Sequence, residues 1–323
     1  MAQFPAEQST DGSFRRQEDA FRRWVVADGS SEFPPEEGRY HLYVSLACPW
    51  AHRTLIIRSV LGLEKAIGVT VADPVRDDRG WAFRDGLGHS ADQAAGFQFL
   101  SEAYLKSDPS FEGRYTVPVL WDTQTQSIVS NSEDDICRMF ADGFRAFQRR
   151  FTDPFPAHLE DEQKTLSSYI YDRINNAVYK AGFATTQQAY EKAVGKLFTA
   201  LGAMEERLTR NTFLLGNDLT EADWRLFCTL IRFDAVYHGH FKCNLRQIQS
   251  YPQLSSYVRC LYQQSGIQQT VNFDHIKRHY FMTHEQINPT RIVPLGPDLT
   301  WLDEPSEREL RFGSYWKENS VLP

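Results

Sequence analysis

The segment RYHLYVSLACPWAHRTLIIRSVLGL, Arg39 to Leu63, sets a single cysteine, Cys48, between a strand pattern and a helix pattern. Tyr40, Leu42, Val44 and Leu46 alternate with His41, Tyr43 and Ser45, which predicts a strand over Tyr40–Leu46. Pro49 then opens a helical run to Leu61, closed by Gly62. Proline suits a first helical turn because its missing N–H would have had no partner within the helix. A second strand, Ile67–Ala72, completes a βαβ unit.

A sulfur at that junction lies among unpaired helix N–H groups and the positive end of the helix dipole, which together stabilise a thiolate. Such placement lowers a cysteine pKa from ~8.5 to somewhere within ~3.5–7.5. His52 and Arg53 fall in the same turn and are expected to add positive potential. A thiolate at neutral pH is the nucleophile of thiol–disulfide exchange. Ala51 stands where a dithiol motif has its second cysteine, so a mixed disulfide on Cys48 must be resolved by an outside thiol, of which glutathione fits. The other reading is a buried cysteine that packs as a small hydrophobe. The local pattern leaves both open.

Composition narrows the partners. A formal charge of −7 with no run of Lys or Arg argues against nucleic acid and anionic membranes, which need a positive field. No apolar run approaches the ~20 residues of a membrane span, and the start of the chain lacks a signal-peptide core. Five cysteines, an odd number without metal-type spacing, read as thiols in a reducing compartment, so the expected location is cytoplasmic. Cys137 and Cys228 sit in apolar helical patterns and read as packing residues. His275 and His279 stand four apart with no third ligand in evident spacing, so no metal is assigned.

Proline-bearing DGSSEFPPEEG and TDPFPAH mark two breaks. They divide the chain into an N-terminal arm (1–38), an α/β domain (39–151) and an all-helical domain (152–323). After the βαβ unit come a polar insertion, a helix near Phe97–Leu105, and a strand–turn–strand–helix run ending in EDDICRMF, giving β-α-β-α-β-β-α. Val117-Pro118 at the third strand reads as a cis peptide or as an edge-strand proline, and the cis reading leaves the Thr116–Val117 backbone groups open to an extended peptide. Asn131 to Asp135 form an acidic helix cap, which serves capping alone or recognition of an amino-acid-like end. In the second half, Tyr190, Val194, Leu197, Leu201, Met204 and Leu208 recur at helical spacing. Thr220 with Asp223 makes a capping box that starts a helix near Glu221, with Leu219 and Trp224 at the staple positions.

CPWA at a helix start, Val-Pro, the acidic cap and an all-helical second half together resemble the glutathione transferase architecture, a thioredoxin-like domain followed by an all-α domain. RGWAF, RYTVPVLWD, NNAVYKAGFAT, LIRFDAVYHGHFKCN, NFDHIKRHYF and INPTRIVPLGP extend the likeness to the glutathionyl-hydroquinone reductases, the Xi class of that superfamily, over roughly Phe14 to Pro297. The resemblance implies reduction of glutathionyl-hydroquinones by glutathione through a Cys48–glutathione disulfide, and a homodimer. It implies Cys48 as nucleophile, Trp81 packed on glutathione, Val117 paired with its cysteinyl backbone, and Arg114 on a carboxylate. It also implies Ser132 and Glu133 on the γ-glutamyl end. The family usually shows Glu then Ser at this cap, whereas Ser132 here precedes Glu133, which leaves open the side chain that takes the ammonium. Tyr179, Tyr237 and Tyr280 fall in the tyrosine-bearing motifs placed around the quinol; without the resemblance each reads as an amphipathic core residue. Competing readings are an omega-like thioltransferase or dehydroascorbate reductase using the same monothiol, and a non-catalytic binding module.

Overall fold

The computed structural model describes residues 5–150 and 152–308. It contains two compact units: Gln17–Thr152 with Gln269–His279, and the segments 5–16, Asp153–Gln268 and 280–308.

The first unit carries β1 Tyr40–Val44, α1 Pro49–Val60, β2 Ile67–Val71, α2 Leu100–Ser107, β3 Val119–Asp122, β4 Ser127–Ser130 and α3 Glu133–Asp142. The sheet order is β2-β1-β3-β4. β1 runs parallel to β2, with Tyr40 opposite Ile67, and antiparallel to β3, with Tyr40 opposite Asp122. The thioredoxin-like βαβ unit and the antiparallel hairpin both form. Tyr43 is buried along with Tyr40, Leu42 and Val44, so the alternation along β1 marks two covered faces and not a wet one.

Helix α2 starts later than Phe97, because carboxylates hold the backbone ahead of it. Asp92 accepts from the Phe97 N–H at 3.1 Å, and Glu102 accepts from Gln98 and Phe99 N–H at 3.0 and 2.9 Å. A buried two-armed pair, Arg39 Nε to Asp122 Oδ1 at 2.9 Å and Nη2 to Oδ2 at 2.6 Å, ties the entry to β1 to the end of β3. The arm from Gln17 on covers the outer edge of β4. Arg22 bridges Ser130, the Arg23 N–H donates to the Val129 carbonyl at 2.9 Å, and the Asn131 N–H donates to Phe21 at 3.1 Å. An edge so occupied is not a template for another strand.

The second unit is helical: α4 Glu160–Ile170, α5 Ala177–Gly182, α6 Gln187–Arg207, α7 Glu221–Arg232 and α8 Pro252–Tyr262, with π-helical turns at Tyr171–Asn175 and Phe233–Tyr237. Helix α9 spans Phe273–Thr283, and the division between the units falls within it, after His279. Val194, Leu197, Leu201, Met204 and Leu208 are buried as their spacing predicts, while Tyr190 is half-buried with its hydroxyl on the Lys242 carbonyl at 2.6 Å. Among the described residues no helix is long and apolar enough to cross a membrane.

Helix α7 begins at Glu221 with Thr220 as its cap. Asp223 accepts from the Thr220 N–H and the Leu214 N–H at 2.9 Å each, and from the Tyr257 hydroxyl at 2.8 Å. Burial nevertheless lifts its carboxyl to about 6, against the downward pull of these donors. Asp223→Ala removes a cap and strands two buried donors, so it is expected to cost about 3 kcal/mol or more in chemical denaturation. The folded chain holds this proton more tightly than the unfolded one. The stability carried by Asp223 is therefore complete below about pH 4 and lost as pH rises through about 6. Asp223→Asn is expected to flatten that part of the pH–stability curve.

Candidate active site

Cys48 is the N-cap of α1, in extended backbone at φ −78°, ψ 121°, with Pro49 at the first helical position. The Ser45–Ala47 turn delivers it: the Cys48 N–H donates to the Ser45 carbonyl at 3.0 Å, and the His52 N–H closes the first helical bond on the Cys48 carbonyl at 2.9 Å. It is half-buried, whereas the other four cysteines are buried, and all five are unbridged. Its Sγ–H points at the Val117 carbonyl at 3.5 Å. The Val117–Pro118 peptide is cis.

Two expectations for this corner are corrected. Thr116 does not present open backbone groups, because the Tyr104 hydroxyl accepts from its N–H at 3.2 Å and donates to its carbonyl at 2.8 Å. Nor does Arg53 lend unspent charge to the sulfur. The buried His52 ring bonds the Thr270 hydroxyl at 2.7 Å, and the buried Arg53 guanidinium is committed to Glu133, at 3.2 Å, and to Asp134.

Those acids belong to the start of α3, where Ser132 is the N-cap and its Oγ accepts from the Asp135 N–H at 3.5 Å. Glu133 is pushed up to about 7, chiefly by burial; Arg53 opposes the rise, and Asp134 and Asp19 add to it. Asp135 is gripped by Arg22 through two bonds of 2.7 and 2.6 Å. Sequence spacing did not reveal Asp19, Arg22 or Arg53 as neighbours of this cap, since nothing local links the arm, α1 and α3.

Trp81 is buried, stacked on His279 with ring centroids 4.9 Å apart at 25°, and the Arg76 guanidinium lies 5.6 Å from its ring centroid. The His279 ring bonds the Pro74 carbonyl at 2.9 Å and that of His275 bonds Leu87 at 2.7 Å, so both histidines latch backbone. Arg114 is half-buried, its N–H held by the Gln17 side chain at 2.9 Å.

In the helical unit the hydroxyls of Tyr179, Tyr237 and Tyr280 meet: 2.5 Å between Tyr179 and Tyr280, 3.0 Å between Tyr237 and Tyr280, and 3.5 Å between Tyr179 and Tyr237. Burial pushes the Tyr237 and Tyr280 phenols well above 10, so they stay protonated as donors. Tyr179 keeps 8% of its surface, against 0% and 1% for the other two, and the Arg16 guanidinium sits 4.8 Å from its ring centroid. Phe241 stacks on Tyr237 with centroids 5.6 Å apart at 15°.

Family models for the glutathione S-transferase N-terminal and C-terminal domains match residues 47–142 and 187–260. Glutathionyl-hydroquinone reductase YqjG of Escherichia coli K12 is 49% identical, the match covering 94% of this chain and 95% of that protein. Its glutathione-bound structure superposes with a TM-score of 0.88 over 91% of this chain and 97% of that one. Glutathionyl-hydroquinone reductase PcpF of Sphingobium chlorophenolicum is 44% identical over 90% and 91% of the two chains. The Xi glutathione transferase of Phanerochaete chrysosporium is 46% identical, with a TM-score of 0.86 over 88% of this chain and 98% of that one. The fold and the cysteine-bearing helix start are those of a glutathione transferase. Within that superfamily the chain belongs to the Xi class, the glutathionyl-hydroquinone reductase family.

Gly182 ends α5 against Phe241, where an added Cβ would stand 2.2 Å from the ring. Gly182→Ala is expected to destabilise the protein by about 1–3 kcal/mol through displacement of Phe241. Gly195, exposed in mid-α6 with nothing within 4 Å of an added Cβ, gives the opposite sign: Gly195→Ala is expected to stabilise by about 0.5–1 kcal/mol. Denaturant midpoints of the two variants check both.

Proposed function

We propose that this protein reduces glutathionyl-hydroquinones to hydroquinones, consuming glutathione and releasing glutathione disulfide. The observation that carries the proposal is Cys48 at the first turn of α1, within hydrogen-bond reach of the carbonyl before a cis-proline.

The cycle has two displacements. Cys48 thiolate attacks the sulfur of the conjugate; the Cys48–sulfur bond forms, the sulfur–ring bond breaks, and its electron pair goes to the ring carbon, which takes a proton. The thiolate of a second glutathione then attacks the mixed disulfide, forming glutathione disulfide and regenerating Cys48 thiolate. Val117 pairs with the cysteinyl backbone of glutathione, which draws its carbonyl away from the thiol and leaves the helix N–H groups to favour the anion. Trp81 backs the tripeptide, Arg114 meets a carboxylate, and Ser132 and Glu133 line the γ-glutamyl end. One or more of Tyr179, Tyr237 and Tyr280 supplies the proton to the ring carbon or stabilises the ring oxygens. The protein works as a cytoplasmic homodimer, which sedimentation reads.

The deciding experiment follows free hydroquinone from a panel of glutathionyl-hydroquinones with added glutathione, beside dehydroascorbate as the omega-like substrate. Release of hydroquinone with ping-pong kinetics is expected, and turnover of dehydroascorbate alone would sink the proposal. Cys48→Ser is expected to lose the reductase activity, because a serine hydroxyl is scarcely ionised at neutral pH and forms no disulfide. Mass spectrometry of the trapped wild-type enzyme is expected to show one glutathione on the Cys48 peptide. Replacing Tyr179, Tyr237 and Tyr280 together by Phe is expected to lower kcat by 100-fold or more, on the order of a lost general acid. Unchanged turnover in that variant would remove the tyrosines from the mechanism.

A further inference from the structure

The arm ahead of Gln17 lies outside the residues matched by the two domain models, yet it is fastened to the helical unit. The Thr185 N–H donates to the Gly12 carbonyl at 3.1 Å, the Thr186 hydroxyl donates to the Asp11 carbonyl at 3.1 Å, and buried Phe14 lies against Phe183 with ring centroids 5.3 Å apart. These contacts deliver Arg16. Its Nε–H donates to Oδ1 of Asn176, the residue ahead of α5, at 3.4 Å, and its guanidinium carbon stands 4.8 Å from the centroid of the Tyr179 ring. Arg16 is half-buried, and Tyr179 keeps the most surface of the three clustered tyrosines. Two backbone carbonyls and a phenylalanine already anchor the arm, so anchorage does not call for a charge. What the guanidinium adds is positive potential beside three hydroxyls that lie 2.5, 3.0 and 3.5 Å from one another, two of them held protonated by burial. Neutral donors with a cation beside them suit an oxyanion. A phenolate oxygen takes their hydrogen bonds and is drawn by the charge, whereas a neutral phenol gains the hydrogen bonds alone.

We infer that Arg16, contributed by the N-terminal arm, is a specificity-determining residue that makes the tyrosine cluster prefer ionised phenols, so that quinol conjugates whose ring hydroxyl has lost its proton are favoured. The inference rests on the proposed use of these tyrosines for the ring oxygens and names the charge state of the ring they take. Arg16 acts as a positioning residue, through the Tyr179 ring that its guanidinium covers and through the potential it sets there.

The test titrates para-nitrophenol, whose neutral and anionic forms absorb at different wavelengths, into the full chain without glutathione, on either side of the probe's own ionisation. The wild type is expected to bind the anion about tenfold more tightly than the neutral form, so that ionisation of the bound probe moves down by about one pH unit. Arg16→Gln is expected to bind both forms alike and to leave the affinity of the neutral form where it was. Arg16→Lys is expected to keep part of the preference, which a loss of arm packing would not allow. Arg16→Gln retaining the wild-type preference would overturn the inference. So would an equal weakening toward both forms, the mark of a clamp on the arm, and so would a wild type that does not bind the anion. A preference that survives replacement of all three tyrosines by Phe would place the anion elsewhere and overturn it too. Hydroquinone release is scored separately. A chain that shows the Arg16-dependent preference and releases no hydroquinone refutes the reaction and keeps this residue; one that releases hydroquinone without that preference does the reverse.

Discussion

Every helix leaves its first N–H groups without partners inside the helix, and in this protein that requirement falls at the mouth of α1, one turn after β1 ends. Pro49 removes one of those donors outright, and Cys48 fills the cap position without bonding the rest through its side chain. A serine or aspartate there would spend the helix field on capping. A cysteine leaves the field for its own ionisation, opposed by the Val117 carbonyl 3.5 Å away. Helix donors at such a cap favour an anion, whereas the Val117 carbonyl, an acceptor, favours the thiol. Anything that occupies Val117 tilts that balance.

Charge elsewhere in the sheet unit is managed by arginines that join segments far apart in sequence. Arg39 reaches Asp122, Arg53 reaches Glu133 and Asp134, and Arg22 reaches Asp135. A buried pair contributes little net stability against a hydrophobic alternative, yet losing one member leaves an uncompensated charge and is costly. Their value is therefore one of register. Arg53 links the helix that bears the cysteine to the start of α3.

What was legible in the sequence follows the range of the interaction. The βαβ unit, the start of α7 at Glu221 and the buried face of α6 all follow from spacings within one element. The start of α2 was misplaced because Phe97 and Phe99 look helical by pattern, while the Asp92 and Glu102 side chains claim their N–H groups first. Arg53 was misread as a donor of potential to Cys48, since the residues that consume its charge, the α3 acids, are far along the chain. The pairing of the arm with β4 escaped for the same reason. The three tyrosines were reached through family motifs, because no periodicity indicates that residues 58 and 101 positions apart share hydrogen bonds.

Two widened turns, Tyr171–Asn175 just ahead of Tyr179 and Phe233–Tyr237 ending on Tyr237, each hold one residue more than a regular α-turn would. Because a residue advances a helix by roughly 100°, excising a single position from either turn would swing everything downstream by about that angle. Tyr237 would then leave its companions even if every side chain in the cluster were retained. The trait that natural variation must preserve at these places is therefore spacing, counted in residues, more than the chemical identity of what fills it.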